Sequence, residues 1–125
     1  VDHVASSSFA FAAVTAGSVV TWGLARYGGT TEPVGGQLSD GVKQVVGNNF
    51  AFAAIKDHGS VVTWGNSRCG GNADQVAEEL ASGVREVVAG NCAFAALKTS
   101  GSVVTWGDRK FGGELDTCPR RGVVL

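Results

Sequence analysis

The sequence predicts an all-β fold of three tandem antiparallel β repeats, arranged as propeller-like blades in an open arc. Three observations carry that expectation. The heptapeptide Gly-Ser-Val-Val-Thr-Trp-Gly stands at 17–23, 59–65 and 101–107, so Trp22, Trp64 and Trp106 recur every 42 residues. Short runs rich in valine and aromatic residues, bounded by glycine or polar residues, recur with it as strand signals do. A Gly-Gly pair follows each tryptophan, at 28–29, 70–71 and 112–113.

The units span about 1–41, 42–83 and 84–125, and together they fit one domain. Each unit reads as three strands, which in the third copy are 84–88, 93–98 and 102–106. The first strand is read from Leu-Ser-Asp-Gly-Val-Lys-Gln-Val-Val at 38–46, matched by Leu-Ala-Ser-Gly-Val-Arg-Glu-Val-Val at 80–88. Phe-Ala-Phe-Ala-Ala at 9–13 and 50–54, which becomes Cys-Ala-Phe-Ala-Ala at 92–96, marks the second. The heptapeptide supplies the third. Short glycine-ended connections, Lys56-Asp57-His58-Gly59 and Thr99-Ser100-Gly101, join the second strand to the third as a hairpin. The first copy lacks one residue between Val14 and Gly17, a deletion that a turn tolerates best.

In the second strand Phe94 and Ala96 point one way and Ala95 and Leu97 the other, so both faces are apolar and require cover. Small alanines beside one large phenylalanine predict close sheet-on-sheet packing, with the tryptophan capping the gap. On this reading Phe11, Phe52 and Phe94, with Trp22, Trp64 and Trp106 and the glycines Gly23, Gly65 and Gly107, are scaffold positions. The spacer 72–82 places Val76 and Leu80 at i,i+4 with Glu78 and Glu79 opposite, which predicts one or two helical turns. Its equivalent, 30–39, holds Pro33 and Gly35-Gly36, which oppose a helix. Spacers vary among the copies, so they are where a specific partner would be read.

Hydrophobic content of 44% and charged content of 17% exclude a disordered chain. A net charge of −1 lacks the field that draws a protein onto nucleic acid, and no nucleic-acid partner is expected. No apolar run approaches the roughly 20 residues of a membrane span, and no basic-then-apolar leader opens the chain. The chain is therefore expected to be soluble in character, without a signal peptide or transmembrane segment, and the compartment stays open.

Cys69, Cys92 and Cys118 are too few and too irregularly spaced for a disulfide framework or a zinc site. Cys69 stands where the other copies have Tyr27 and Phe111, and Cys92 where they have Phe9 and Phe50. Both read as small buried hydrophobes. Cys118 has no counterpart in the other units.

No nucleophile elbow, phosphate loop, zinc-protease or calcium-loop motif occurs, so neither catalysis, cofactor nor metal is expected. His58 reads as a solvated turn residue and His3 as a residue near a terminus; Glu78 and Glu79 read as a solvated face. The periodic polar feature is basic. Arg26, Arg68 and Lys110 each lie four residues after a tryptophan, a row along one rim suited to an acidic surface, lipid headgroups or phosphate. Lys43 and Arg85 form a second matched pair, diluted by Asp40 and Glu86. The competing reading of the row is a solvated side chain or a cation–π cover over the tryptophan.

The run 90–107, Gly-Asn-Cys-Ala-Phe-Ala-Ala-Leu-Lys-Thr-Ser-Gly-Ser-Val-Val-Thr-Trp-Gly, resembles the regulator-of-chromosome-condensation repeat. It is similar in particular to the short uniform version found in dinoflagellate proteins, and the resemblance covers nearly the whole chain three times. It implies blades of a β-propeller, usually seven, serving protein binding, chromatin binding or nucleotide exchange. Two departures weaken the carry-over of specific activities. The family's histidine at the start of the second strand is replaced by Ala10, Ala51 and Ala93, and the glycine-rich stretch after the tryptophan is reduced to Gly-Gly.

Three units are fewer than the typical four to eight blades of a closed propeller, and an open arc exposes strand edges. The expected function is therefore a non-catalytic protein-binding or scaffolding module that meets a protein partner or itself through those edges. The resemblance extends this to an accessory or stabilising subunit of a larger assembly such as an algal chloroplast membrane complex, with peripheral contact to the membrane complex. One alternative is a threefold pseudo-symmetric β-trefoil or β-prism acting as a carbohydrate-binding module. Another is regulation of a small GTPase, by family analogy.

Overall fold

The computed structural model describes residues 3–31 and 34–108. The strands are β1 (His3–Ser6), β2 (Ala10–Thr15), β3 (Ser18–Gly23), β4 (Val42–Gly47), β5 (Ala51–Lys56), β6 (Val61–Gly65), β7 (Val84–Ala89), β8 (Ala93–Lys98) and β9 (Val103–Gly107). They form three separate antiparallel sheets in the orders β1-β2-β3, β4-β5-β6 and β7-β8-β9, so each repeat is one blade. Equivalent registers recur, with Phe11 opposite Trp22, Phe52 opposite Trp64 and Phe94 opposite Trp106.

The missing residue of the first repeat falls in the β2–β3 hairpin, as expected. It leaves a two-residue turn in which Ala16 and Gly17 both take positive φ, 51° and 81°, the geometry that matches the twist of the flanking strands. The later copies keep a three-residue turn instead. Lys56 N–H donates to Ser60 C=O at 2.8 Å and Gly59 N–H to Lys56 C=O at 2.9 Å, with Gly59 at a φ of 86°.

Strict alternation would put Val42 and Val45 on opposite faces, yet both are buried. The register shifts between Val42 and Gln44, and again between Val84 and Glu86. The bulge inserts Lys43 or Arg85 as the extra, unpaired residue and returns the following valine to the inner face.

Two cores fill the spaces between blades. In the first, Ala10, Ala12 and Val14 of blade 1 meet Val45, Phe52, Ala54 and Trp64 of blade 2. In the second, Ala51, Ala53 and Ile55 of blade 2 meet Val87, Phe94, Ala96 and Trp106 of blade 3. Every blade thus has a leading face of Phe and Trp and a trailing face of small or branched residues, and large side chains seat on alanines. This is the packing that the alternation of the second strand predicts.

Each spacer makes a short 3-10 turn, Gly35–Leu38 and Asp74–Val76. The Gly35-Gly36 pair therefore does not prevent a turn, because burial of Leu38, like that of Leu80, in the inter-blade core holds it. Lys56 fastens the spacer from below, its ammonium donating to the carbonyls of Gln37 and Asp40. Lys98 repeats the contact with the carbonyl of Glu79.

The threefold closure of a β-trefoil or β-prism is not the arrangement of the described residues. Blade 1 packs on blade 2 through β1, β2 and β4, and blade 2 on blade 3 through β4, β5 and β7, and none of the sheets closes into a barrel. No helix among the described residues is long and apolar enough to cross a membrane, which leaves β-barrels aside.

Candidate binding face

The scaffold residues of the three repeats are identical in sequence but not in environment. Trp64 and Trp106 are 2% and 4% exposed, whereas Trp22 is 48% exposed; Phe52 and Phe94 are 0% and 1% exposed against 46% for Phe11. Phe11 and Trp22 nevertheless keep the same stacked geometry, with ring centroids 5.5 Å apart, as Phe52–Trp64 at 5.3 Å and Phe94–Trp106 at 5.4 Å. The pair is preformed on blade 1 and uncovered.

What covers the buried copies is the turn of the preceding blade. Trp64 donates its indole N–H to the carbonyl of Gly28 at 3.2 Å, and Trp106 does the same to Gly70 at 3.1 Å. No such acceptor meets Trp22 among the described residues. Val4 and Val20 extend the exposed patch on the same face, since Val4 opposes Ala13 and Ala13 opposes Val20. Their counterparts Val45 and Val62 are buried. Leu24, also exposed, lies at the end of β3. The open feature of blade 1 is thus a sheet face.

The basic positions divide. Arg68 reaches across to blade 3 and pairs with Asp108, Nε to Oδ2 at 2.8 Å, while its side chain stays 76% exposed. Asn66 occupies the position of Asp108 in blade 2, where it accepts from Arg68 N–H and Cys69 N–H, and it offers Arg26 no carboxylate. Arg26 is exposed. Lys110 lies outside the described residues. Lys43 and Arg85 are exposed at the two bulges.

Cys69 and Cys92 are bonded to each other, with Cα atoms 4.3 Å apart, which corrects the reading of both as unpaired buried hydrophobes. They are indeed buried. The reason for the pairing lies in the repeat: Tyr27 and Phe50, which hold the equivalent positions between blades 1 and 2, are themselves in contact at 5.3 Å between centroids. One inter-blade seam is closed by aromatic rings and the next by a disulfide. Cys118 lies outside the described residues.

His3, near a terminus, is tied to the next blade, its Nε2 donating to the Val45 carbonyl at 2.8 Å. His58 is exposed in its turn, and Glu78 and Glu79 are exposed in the spacer. Among the described residues no three His, Cys, Asp or Glu side chains are grouped to hold a metal. A groove of about 680 Å³ runs along β6 between spacers, lined by Val34, Val61, Thr63, Asn72, Asp74 and Ala77 among others. Asp74 is its ionisable residue, and no second carboxylate or histidine lines it.

No protein-family model matches the sequence, and no curated protein matches it. Solved structures do. The entire ectodomain of the receptor kinase CR4 from Physcomitrella patens is similar over 98% of this chain, with a TM-score of 0.63 and 15% identity. Human WBSCR16 is similar over 90%, with a TM-score of 0.59 and 20% identity. At such identity the likeness shows the fold alone, a run of propeller-type blades. The chain spans only 33% and 36% of the length of these two structures.

Proposed function

We propose that the chain is a non-catalytic protein-binding or scaffolding module, and that the leading face of blade 1 is where it engages a partner. The observation that carries this reading is the preformed Phe11–Trp22 stack, 46% and 48% exposed, whose two internal copies are buried by a neighbouring blade. Large exposed aromatic side chains set among apolar residues are the composition of interaction sites. Among the described residues, the groove along β6 is lined by Asp74 as its one ionisable side chain.

The more specific form is an accessory subunit that stabilises a larger assembly. Its placement in an algal chloroplast membrane complex rests on the resemblance to the dinoflagellate-type regulator-of-chromosome-condensation repeat. The test compares the wild-type chain with a Phe11→Ser, Trp22→Ser double variant in purification from the native source. The reading expects the wild-type chain to co-elute with a protein in fixed stoichiometry and the double variant to lose it. Equal recovery with both chains contradicts the reading.

A further inference from the structure

The two seams inside the molecule specify what fits the open face, because each repeats the same set of contacts. A trailing face built on alanine receives a Phe–Trp leading face, and a backbone hydrogen bond runs between equivalent loops. Ser8 N–H of blade 1 donates to Asn49 C=O of blade 2 at 2.8 Å, and Asn49 N–H donates to Asn91 C=O of blade 3 at 3.1 Å. The row has complementary groups left over among the described residues: Ser8 C=O of blade 1 has no donor there, and Asn91 N–H of blade 3 has no acceptor there.

The faces end in the same complementary way. On the trailing side of blade 3, Ala95 and Leu97 are half-buried and Val88 is exposed. Their blade 2 counterparts Ala53 and Ile55 are fully buried, with Val46 packed beside them, against blade 3. So, among the described residues, blade 1 offers an uncovered Phe–Trp surface, and blade 3 offers an incompletely covered surface of the type that receives it.

We propose that the leading face of blade 1 docks on the trailing face of blade 3 of a second copy of this chain, head to tail. This inference rests on the binding-module reading and names the partner for its face. The contact is heterologous, so it either closes into a ring or propagates. Two copies of the three described blades supply six, within the four to eight typical of a closed propeller.

The test is mass in solution by light scattering on the 125-residue chain, with single charges placed at strand positions that are already exposed. Val20→Glu alters the leading face and Val88→Glu the trailing face. Circular dichroism confirms folding, and Val20→Thr and Val88→Thr serve as milder variants should either glutamate fail to fold. The wild type is expected at twice the 12.7 kDa of one chain. Each glutamate variant alone is expected to weaken self-association by about tenfold or more. An equimolar mixture of the two should recover a one-to-one pair, since one undamaged interface remains between them. A wild type that stays monomeric at every soluble concentration overturns the inference. So does a Val88→Glu chain that dimerises as the wild type does, which would mean that leading faces pair with each other. A monomeric wild type that still loses a stoichiometric foreign partner on Val20→Glu overturns this inference and leaves the binding-module reading standing.

Discussion

Trp64 lies with its indole N–H on the carbonyl of Gly28, 3.2 Å away, so that one blade's tryptophan closes the turn of the blade before it. The glycine is required on two counts. Its φ is 103°, and a Cβ built on it would fall 2.3 Å from the ring of Phe52. The repeat's tryptophan and its Gly-Gly pair are therefore two halves of one contact, made between successive units rather than within one.

Gly28→Ala is expected to lower stability by about 3 kcal/mol, the sum of left-handed backbone strain and an overpacked seam. Gly36→Ala, where a Cβ meets nothing within 4 Å, should stay within about 0.5 kcal/mol of the wild type. Urea unfolding midpoints measure both.

Trp64→Phe and Trp22→Phe are the same substitution at equivalent positions. The first removes a buried donor and leaves the Gly28 carbonyl without its indole partner, at a cost of about 2 kcal/mol. The second changes an uncovered side chain and should cost no more than about 0.5 kcal/mol. Paired denaturation curves of the two variants separate them.

Cys92→Ser, which opens the link closed over a sequence separation of 23 residues, should destabilise the chain by about 3 kcal/mol. Peptide mapping without reductant should recover the Cys69 and Cys92 peptides joined. Because Tyr27 and Phe50 hold the equivalent positions, a Tyr27→Cys, Phe50→Cys chain should form a corresponding link between blades 1 and 2, seen as a second cross-linked peptide pair.

Ala16→Gly should raise stability by about 1 kcal/mol, since Ala16 is the non-glycine residue held at positive φ among those described, at 51°. The rise in thermal midpoint over the wild type is the readout.

The strands and the hairpins were legible because period-2 runs and turn glycines are local signals. The bulge was not, since it appears in sequence only as Val42 and Val45 three apart, a spacing that mimics a helix more than a strand. The disulfide was hidden for a different reason: each cysteine replaces an aromatic residue in its own copy, and the two positions meet only across a seam. Knowing that Tyr27 and Phe50 touch would have revealed it. The exposed face could not be read from residue identity at all, because Phe11 and Trp22 are the same residue types as their buried copies. It comes from position in the stack, which is a property of the array and not of the repeat. Arg26 and Arg68 differ in their pairing because Asp108 stands where blade 2 has Asn66, a change outside the shared heptapeptide.

The most direct measurement of the central claim is oxidative labelling of the three tryptophans, resolved by peptide mass, on monomeric chain and on chain bound to its partner. Trp22 is expected to be modified freely in the monomer while Trp64 and Trp106 are protected, and binding is expected to protect Trp22 as well. Equal modification of all three in the folded monomer, or a Trp22 that stays reactive in the complex, would contradict the claim.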